Sequence, residues 1–240
     1  MRKKRGKTRD ESRSIDSSTT ELPEFIAVQR LMMQGEYQES IKFLEDFESQ
    51  VQDDLDKLRC IMLRGVCLLQ IGEFKTSLML AQQVIDDSKG KSSLEILVID
   101  AQILLATAMS ELGRLRESHE ICEQIDQKIK TQQEAGLFDL RSQKASFLHI
   151  KGHINFLWGK YEESMEVFQE SLSLRRELGN AKEIALSMAN IAIVSARTHP
   201  EEAIELSENG IELMKELNSE EHVDLLLYGI SRVYTAKGNL

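Results

Sequence analysis

His149 and His153 are the one pair of side chains here whose spacing suggests chemistry. Four residues apart on a helix, two imidazoles share a face and can reach one metal ion. No third ligand stands nearby in the sequence, so the pair reads as two polar groups lining a groove rather than a metal site. Gly90-Lys91-Ser92 ends like a phosphate loop, but Ile85 stands where the upstream glycine belongs and no strand precedes it. It is expected to be a turn between helices. Glu162-Glu163 and Glu201-Glu202 fall at helix starts, where carboxylates complement the helix dipole. No nucleophile elbow, zinc-protease motif, calcium loop or paired-cysteine zinc site is present. With no catalytic set to name, neither an enzymatic activity nor a cofactor is expected.

The elements that carry these residues are helical. Apolar residues make up 41 % of the 240, aromatics only 5 %, and Pro23 and Pro200 are the two prolines. The chain is rich in Leu, Glu, Gln, Lys, Met and Ala rather than in β-branched and aromatic runs, which predicts an all-α fold. No stretch approaches the roughly 20 uninterrupted apolar residues of a membrane span. The basic N-terminus lacks the apolar segment of a secretory signal. Cys60, Cys67 and Cys122 sit inside apolar helical pattern and predict buried free thiols in a reducing, cytoplasmic setting.

Charge is unevenly placed. Residues 1–24 hold seven basic and five acidic side chains, a net +2, so the total of −10 leaves −12 on the remainder. That body repels phosphate and argues against nucleic acid, except through the basic first residues. Residues 1–21 offer almost nothing to a core and predict a disordered, Ser/Thr-rich tail. Residues 22–240 form the folded part, with Pro23 suited to the first helical position.

Within it a pattern repeats: a glycine, a bulky residue two later, and a small residue three further on. It appears as Gly35/Tyr37/Ser40, Gly72/Phe74/Ser77, Gly113/Leu115/Ser118 and Gly159/Tyr161/Ser164. A degraded fifth copy uses Thr198-His199-Pro200 with Ala203, and Gly238 opens a sixth turn. Seven residues before three of the turns stands another small residue, Gly65, Ala106 or Gly152, with Val28 the exception. Glycine permits the chain reversal, the bulky residue fills the wedge between paired helices, and small residues on both helices allow close packing. Ser92/Glu95, Asn180/Glu183 and Asn218/Glu221 have capping-box spacing. Eleven helices are predicted: five antiparallel pairs and a terminal helix over about 220–237.

These residues resemble the tetratricopeptide repeat (TPR), most closely in Gly65, Leu68, Gly72, Phe74, Ser77 and in Gly152, Gly159, Tyr161, Ser164, Phe168. Serine replaces the family's usual alanine in four copies. The turn glycines are 37, 41 and 46 residues apart, against about 34 in the family. That is similar to the long-helix variants of motor light chains, vesicle-fusion adaptors and some regulatory proteins. The resemblance implies a right-handed α-α superhelix, a TPR-like solenoid with a concave face lined by the first helix of each pair. On that face the repeat phase places Arg59, Met62, Val66 and Leu69, then Asp100, Ile103, Thr107 and Ser110. His149, His153 and Phe156 follow, then Ala189, Asn190 and Ile193, and lastly Tyr228 and Arg232.

Such a mixture suits a peptide or protein segment, although several of these residues could equally pack against their neighbours. The lysine–asparagine–arginine clamp with which some family members grip acidic C-termini is absent, since Met62, Val66, Ile103, Thr107, His149 and His153 occupy the matching positions. Asn190 matches an asparagine that other members use to bind peptide backbone. Leu225, Leu226, Leu227, Tyr228, Ile230, Val233 and Tyr234 spread around the last helix, which points to self-association into a homo-oligomer. The expected function is a protein-interaction module, an adaptor or assembly scaffold. The alternative is a regulatory sensor whose basic tail touches nucleic acid or an anionic membrane.

Overall fold

The computed structural model describes residues 22–238 apart from 135, 137, 218, 220 and 221. The expected tail and the Asn218/Glu221 pair lie outside the described residues. Eleven α-helices are present among those described: α1 (Pro23–Met33), α2 (Tyr37–Gln50), α3 (Asp54–Gln70), α4 (Phe74–Asp87), α5 (Glu95–Glu111), α6 (Leu115–Glu134), α7 (Arg141–Leu157), α8 (Tyr161–Leu178), α9 (Ala181–Ser195), α10 (Pro200–Glu216) and α11 (Val223–Ala236). Each packs on the next in sequence. In addition α3 touches α5, α5 touches α7, α9 touches α11, and Arg232 of α11 reaches Phe156 of α7, so the odd-numbered helices from α3 to α11 form one layer of a solenoid.

The turns follow from local chemistry. At Gly35, Gly72, Gly113 and Gly159 φ lies between +74° and +83°, which a β-carbon disfavours. The residue after each glycine then donates its N–H to the carbonyl five back: Glu36 to Leu31, Glu73 to Leu68, Arg114 to Met109 and Lys160 to Asn155, at 2.8–2.9 Å. These bonds satisfy carbonyls that a helix end leaves orphaned. The fifth turn dispenses with glycine: His199 N–H bonds to Ser195 O at 2.8 Å and Pro200 opens α10.

The serines in the alanine position have a distinct use. Ser77, Ser118 and Ser164 are buried in α4, α6 and α8. Each donates its hydroxyl across the pair to the carbonyl of the small residue twelve back, Gly65, Ala106 or Gly152, at 2.7–2.8 Å. Where that residue is Val28 the approach is blocked, and Ser40 bonds to Glu36 O on its own helix at 2.8 Å. Close packing is therefore also a polar contact. At Gly152 a β-carbon would stand 2.7 Å from the Phe168 ring, and at Gly65 2.7 Å from Leu104.

Two sequence expectations change. Ser92 does not cap a helix: it opens a short 3-10 turn, Ser92–Leu94, which defers α5 to Glu95 and leaves Leu94 at its cap with no side-chain bond. Asn180 does cap α9, accepting from Glu183 N–H at 3.4 Å, but the Glu183 carboxylate turns away to Arg175. The segment Ser92–Glu111 is long and apolar enough, by composition alone, to cross a bilayer. Here it is a central helix, with Ile99, Ala101, Leu104, Leu105, Ala106 and Ala108 buried among its neighbours. Gly90-Lys91-Ser92 lies in the connection between α4 and α5, as its missing upstream glycine implied.

Candidate functional site

The odd-numbered helices bring most of the predicted groove residues into three rows, joined by Met188, Ala192, Ser195 and Thr235, which the sequence did not single out. Ala189 and Ile193, expected on the face, are buried. Counting back from each turn residue, the tenth positions of α3, α5, α7, α9 and α11 are Met62, Ile103, His149, Met188 and Tyr228. The sixth are Val66, Thr107, His153, Ala192 and Arg232, and the third are Leu69, Ser110, Phe156, Ser195 and Thr235. Side chains bridge neighbouring helices along this face. Gln143 of α7 donates to Asp100 of α5 at 3.0 Å, and Ser110 Oγ lies 3.5 Å from His153 Nδ1.

Met62, Val66 and Leu69 pack against buried Ala81, Leu104, Leu105 and Met109. The α3 end of the face is thus apolar and partly engaged in the core. His149 stands at the face but leans inward, its ring 5.7 Å from that of Phe168. Its Nδ1 is shut off from water with no hydrogen-bond partner. Burial, then the positive charge of Arg175 and of the other histidines His153 and His222, push its pKa well below the ordinary histidine value. His153 is also lowered by burial, against an opposing pull from Glu111. The two imidazoles engage different neighbours. Among the described residues no group of three or more His, Cys, Asp or Glu side chains comes together to hold a metal ion.

Phe156, Tyr228 and Arg232 do come together, from α7 and α11. The Arg232 guanidinium carbon lies 5.8 Å from the centroid of each ring, and Phe156 also packs against Tyr161 at 5.8 Å. Asn190 sits apart from these rows. It shares the register of Arg64 and Lys151, whose side chains pair with Glu48 of α2 and Glu123 of α6, and its amide donates to Leu186 O on its own helix at 2.9 Å.

Sequence reasoning missed two residues behind this face. Gln143 supports Asp100, whose carboxyl burial raises in pKa. Arg175, 5 % exposed, bonds Glu183 Oε2 at 2.6 Å, Ser187 Oγ at 2.7 Å and Glu183 O at 3.1 Å. The signal was present: Phe168, Leu172 and Arg175 follow the helical period of a buried stripe.

No family model and no curated protein matches the sequence. Solved structures match in fold. A Rap protein complexed with competence and sporulation factor gives a TM-score of 0.74 at 15 % identity, covering 90 % of this chain and 60 % of that one. The Rap conjugation gene regulator of a plasmid, in complex with a Phr peptide, gives 0.75 at 17 %, covering 90 % and 61 %. A thermophilic TPR protein of Thermus thermophilus gives 0.61 at 13 %, covering 88 % and 97 %. The chain thus spans 60 % and 61 % of the length of the two Rap structures. At these identities the likeness is one of fold, and the fold is a TPR-like helical-repeat solenoid.

Proposed function

We propose that this chain is a protein-interaction module that holds a peptide or protein segment against the face formed by α3, α5, α7, α9 and α11. The observation that carries this reading is the α7–α11 stretch, where His153, Phe156 and Arg232 stand half-buried beside exposed Tyr228. Apolar rings give contact area there and polar tips give orientation, the combination peptide grooves use. That one protein of this fold was solved with a Phr peptide supports the same reading. No reaction is assigned to the chain, and a reducing compartment suits its three buried free thiols.

The test uses the full chain against a random-sequence peptide array, beside a His153→Ala/Phe156→Ala variant. His149 is left intact because its ring contacts the core. Peptides held by the parent and weakened about tenfold or more in the variant, with helical circular dichroism unchanged, are the expected result. Equal binding by both proteins places the contact elsewhere.

A second contact is proposed through α11, where Leu227, Tyr228 and Tyr234 are 53 %, 50 % and 45 % exposed. In the pairs from α3 to α10 the register of Leu227 holds Ile61, Gln102, Leu148 and Ser187, all buried, and that of Tyr234 holds Leu68, Met109, Asn155 and Val194, none of them exposed. Self-association would cover the stripe in α11. Light scattering should show mass rising with concentration and Leu227→Glu abolishing the rise; a constant monomer mass rejects the contact.

A further inference from the structure

Three of the described arginines are buried or half-buried: Arg64, Arg175 and Arg232. In an acidic chain, with 40 Asp and Glu against 30 Lys and Arg, a carboxylate is seldom far away. Arg64 pairs with Glu48 and Glu45 at 2.5 and 3.4 Å, and Arg175 with Glu183 at 2.6 Å. Arg232 has no carboxylate partner among the described residues. Its one polar contact among them is a long one, 3.4 Å from Nη1 to Tyr228 Oη, and its Nε is buried without a partner.

The surroundings hold the guanidinium in place. Tyr228 lies one turn back on α11, and Phe156 comes from α7, two helices away in the layer. That reach depends on α9, which presents Ala192 and Ser195 in the rows where α7 carries His153 and Phe156. Gly229 lets α11 ride directly on α9: a β-carbon there would stand 3.1 Å from the Ala192 β-carbon and 2.9 Å from Ser207 Oγ. The result is a cation over two rings, in the row of the groove face that holds His153. A planar fork of donors that is already ordered loses little entropy when it binds a carboxylate in two-point fashion.

We propose that Arg232 anchors a side-chain carboxylate, Asp or Glu, of the segment held in the groove. This deepens the peptide-binding reading and rests on it. A side chain fits better than a chain terminus, because a terminal carboxylate is held by several converging donors. Asn190, which matches an asparagine that binds peptide backbone in other family members, gives an N–H to Leu186 O and stands outside the row of Arg232.

The test takes array peptides that the parent binds and the His153→Ala/Phe156→Ala variant weakens. Each is remade with every Asp and Glu changed, one at a time, to Asn or Gln, and titrated by fluorescence polarisation against the full chain and its Arg232→Gln and Arg232→Lys variants. One acid-to-amide change should weaken binding about tenfold in the parent and hardly at all in Arg232→Gln, with Arg232→Lys between them. A merely structural Arg232 would weaken acid and amide peptides equally, and that result overturns the proposal. So does a set of groove binders whose acids can all be replaced without loss. If no peptide depends on His153 and Phe156, the groove reading itself fails and takes this inference with it.

Discussion

Removing the exposed partner of the Arg175–Glu183 pair should damage the fold more than removing the buried one. Arg175 is 5 % exposed and Glu183 40 %. Glu183→Ala leaves a guanidinium in the interior with only Ser187 Oγ and Glu183 O as acceptors. Stranding a buried charge costs about 3 kcal/mol, including a few tenths for the first-turn acid that α9 loses. Arg175→Met leaves a carboxylate that water can reach. It also leaves Ser187 without its partner, but Ser187 can rotate to the carbonyl four back, as Ser195 does to Ile191 O and Ser207 to Ala203 O, both at 2.8–2.9 Å. Methionine fills the vacated volume, so the net cost should be about 1 kcal/mol. The difference corresponds to roughly 4–8 °C in melting temperature for a chain of this size. Thermal and urea unfolding of both variants at pH 7 measure it. Since Arg175 lowers the His149 pKa, the Arg175→Met variant should also show His149 titrating at higher pH. Arg175→Met proving the more damaging change would refute the reasoning.

Burial pushes the thiol pKa of Cys60 and Cys67 up to about 11 and of Cys122 up to about 12. All three should therefore resist Ellman's reagent at pH 8 in the folded chain and react together on denaturation; fast reaction of any one in the native protein contradicts their burial. His149 and His153 have depressed pKa values, so below the unfolded value of about 6.5 the unfolded chain binds more protons. Stability should hold above that pH and fall as pH drops from 7 to 5, by up to about 1.4 kcal/mol per unit for each histidine. A His149→Phe variant should flatten the slope, and an unchanged slope would mean that other groups carry it.

Much of the fold was legible because its determinants are local. Gly35, Gly72, Gly113 and Gly159 mark turns that a left-handed residue closes, and their spacing to Ser40, Ser77, Ser118 and Ser164 gives the phase of both helices in each pair. Pro23 and Pro200 begin α1 and α10 as their fixed φ angles suggest. Composition alone was less informative at Ser92. The residue has the right spacing to Glu95, but spacing cannot distinguish a helix cap from the start of a 3-10 turn. The serines were legible as small residues only. Their hydroxyl bonds across the pair depend on the carbonyl twelve residues back being approachable, which Val28 prevents and Gly65, Ala106 and Gly152 allow.

The groove was legible by row and not by contact. A repeat phase names which residue of each helix faces the same way, so His153 and Arg232 could be placed in one row from the sequence. It does not say how far a side chain crosses its neighbour. Arg232 reaches Phe156, 76 positions earlier, because α9 carries small Ala192 and Ser195 between them and Gly229 brings α11 close. Asn190 shows the converse. The family resemblance implied backbone recognition for it, and its register is that of Arg64 and Lys151, which turn toward the second helix of the preceding pair. In a stack of helix pairs a side chain's role is thus decided by the size of the residue on the next helix of its layer. Filling the gap should show this: Ala192→Leu would occupy the space that Gly229 and Arg232 use, separating Arg232 from Phe156 without changing either residue. The groove contact should weaken in that variant while α1 to α6 keep their amide-exchange protection, because each pair touches only its neighbours. Full binding by Ala192→Leu would show that the arginine holds its place without the ring from α7.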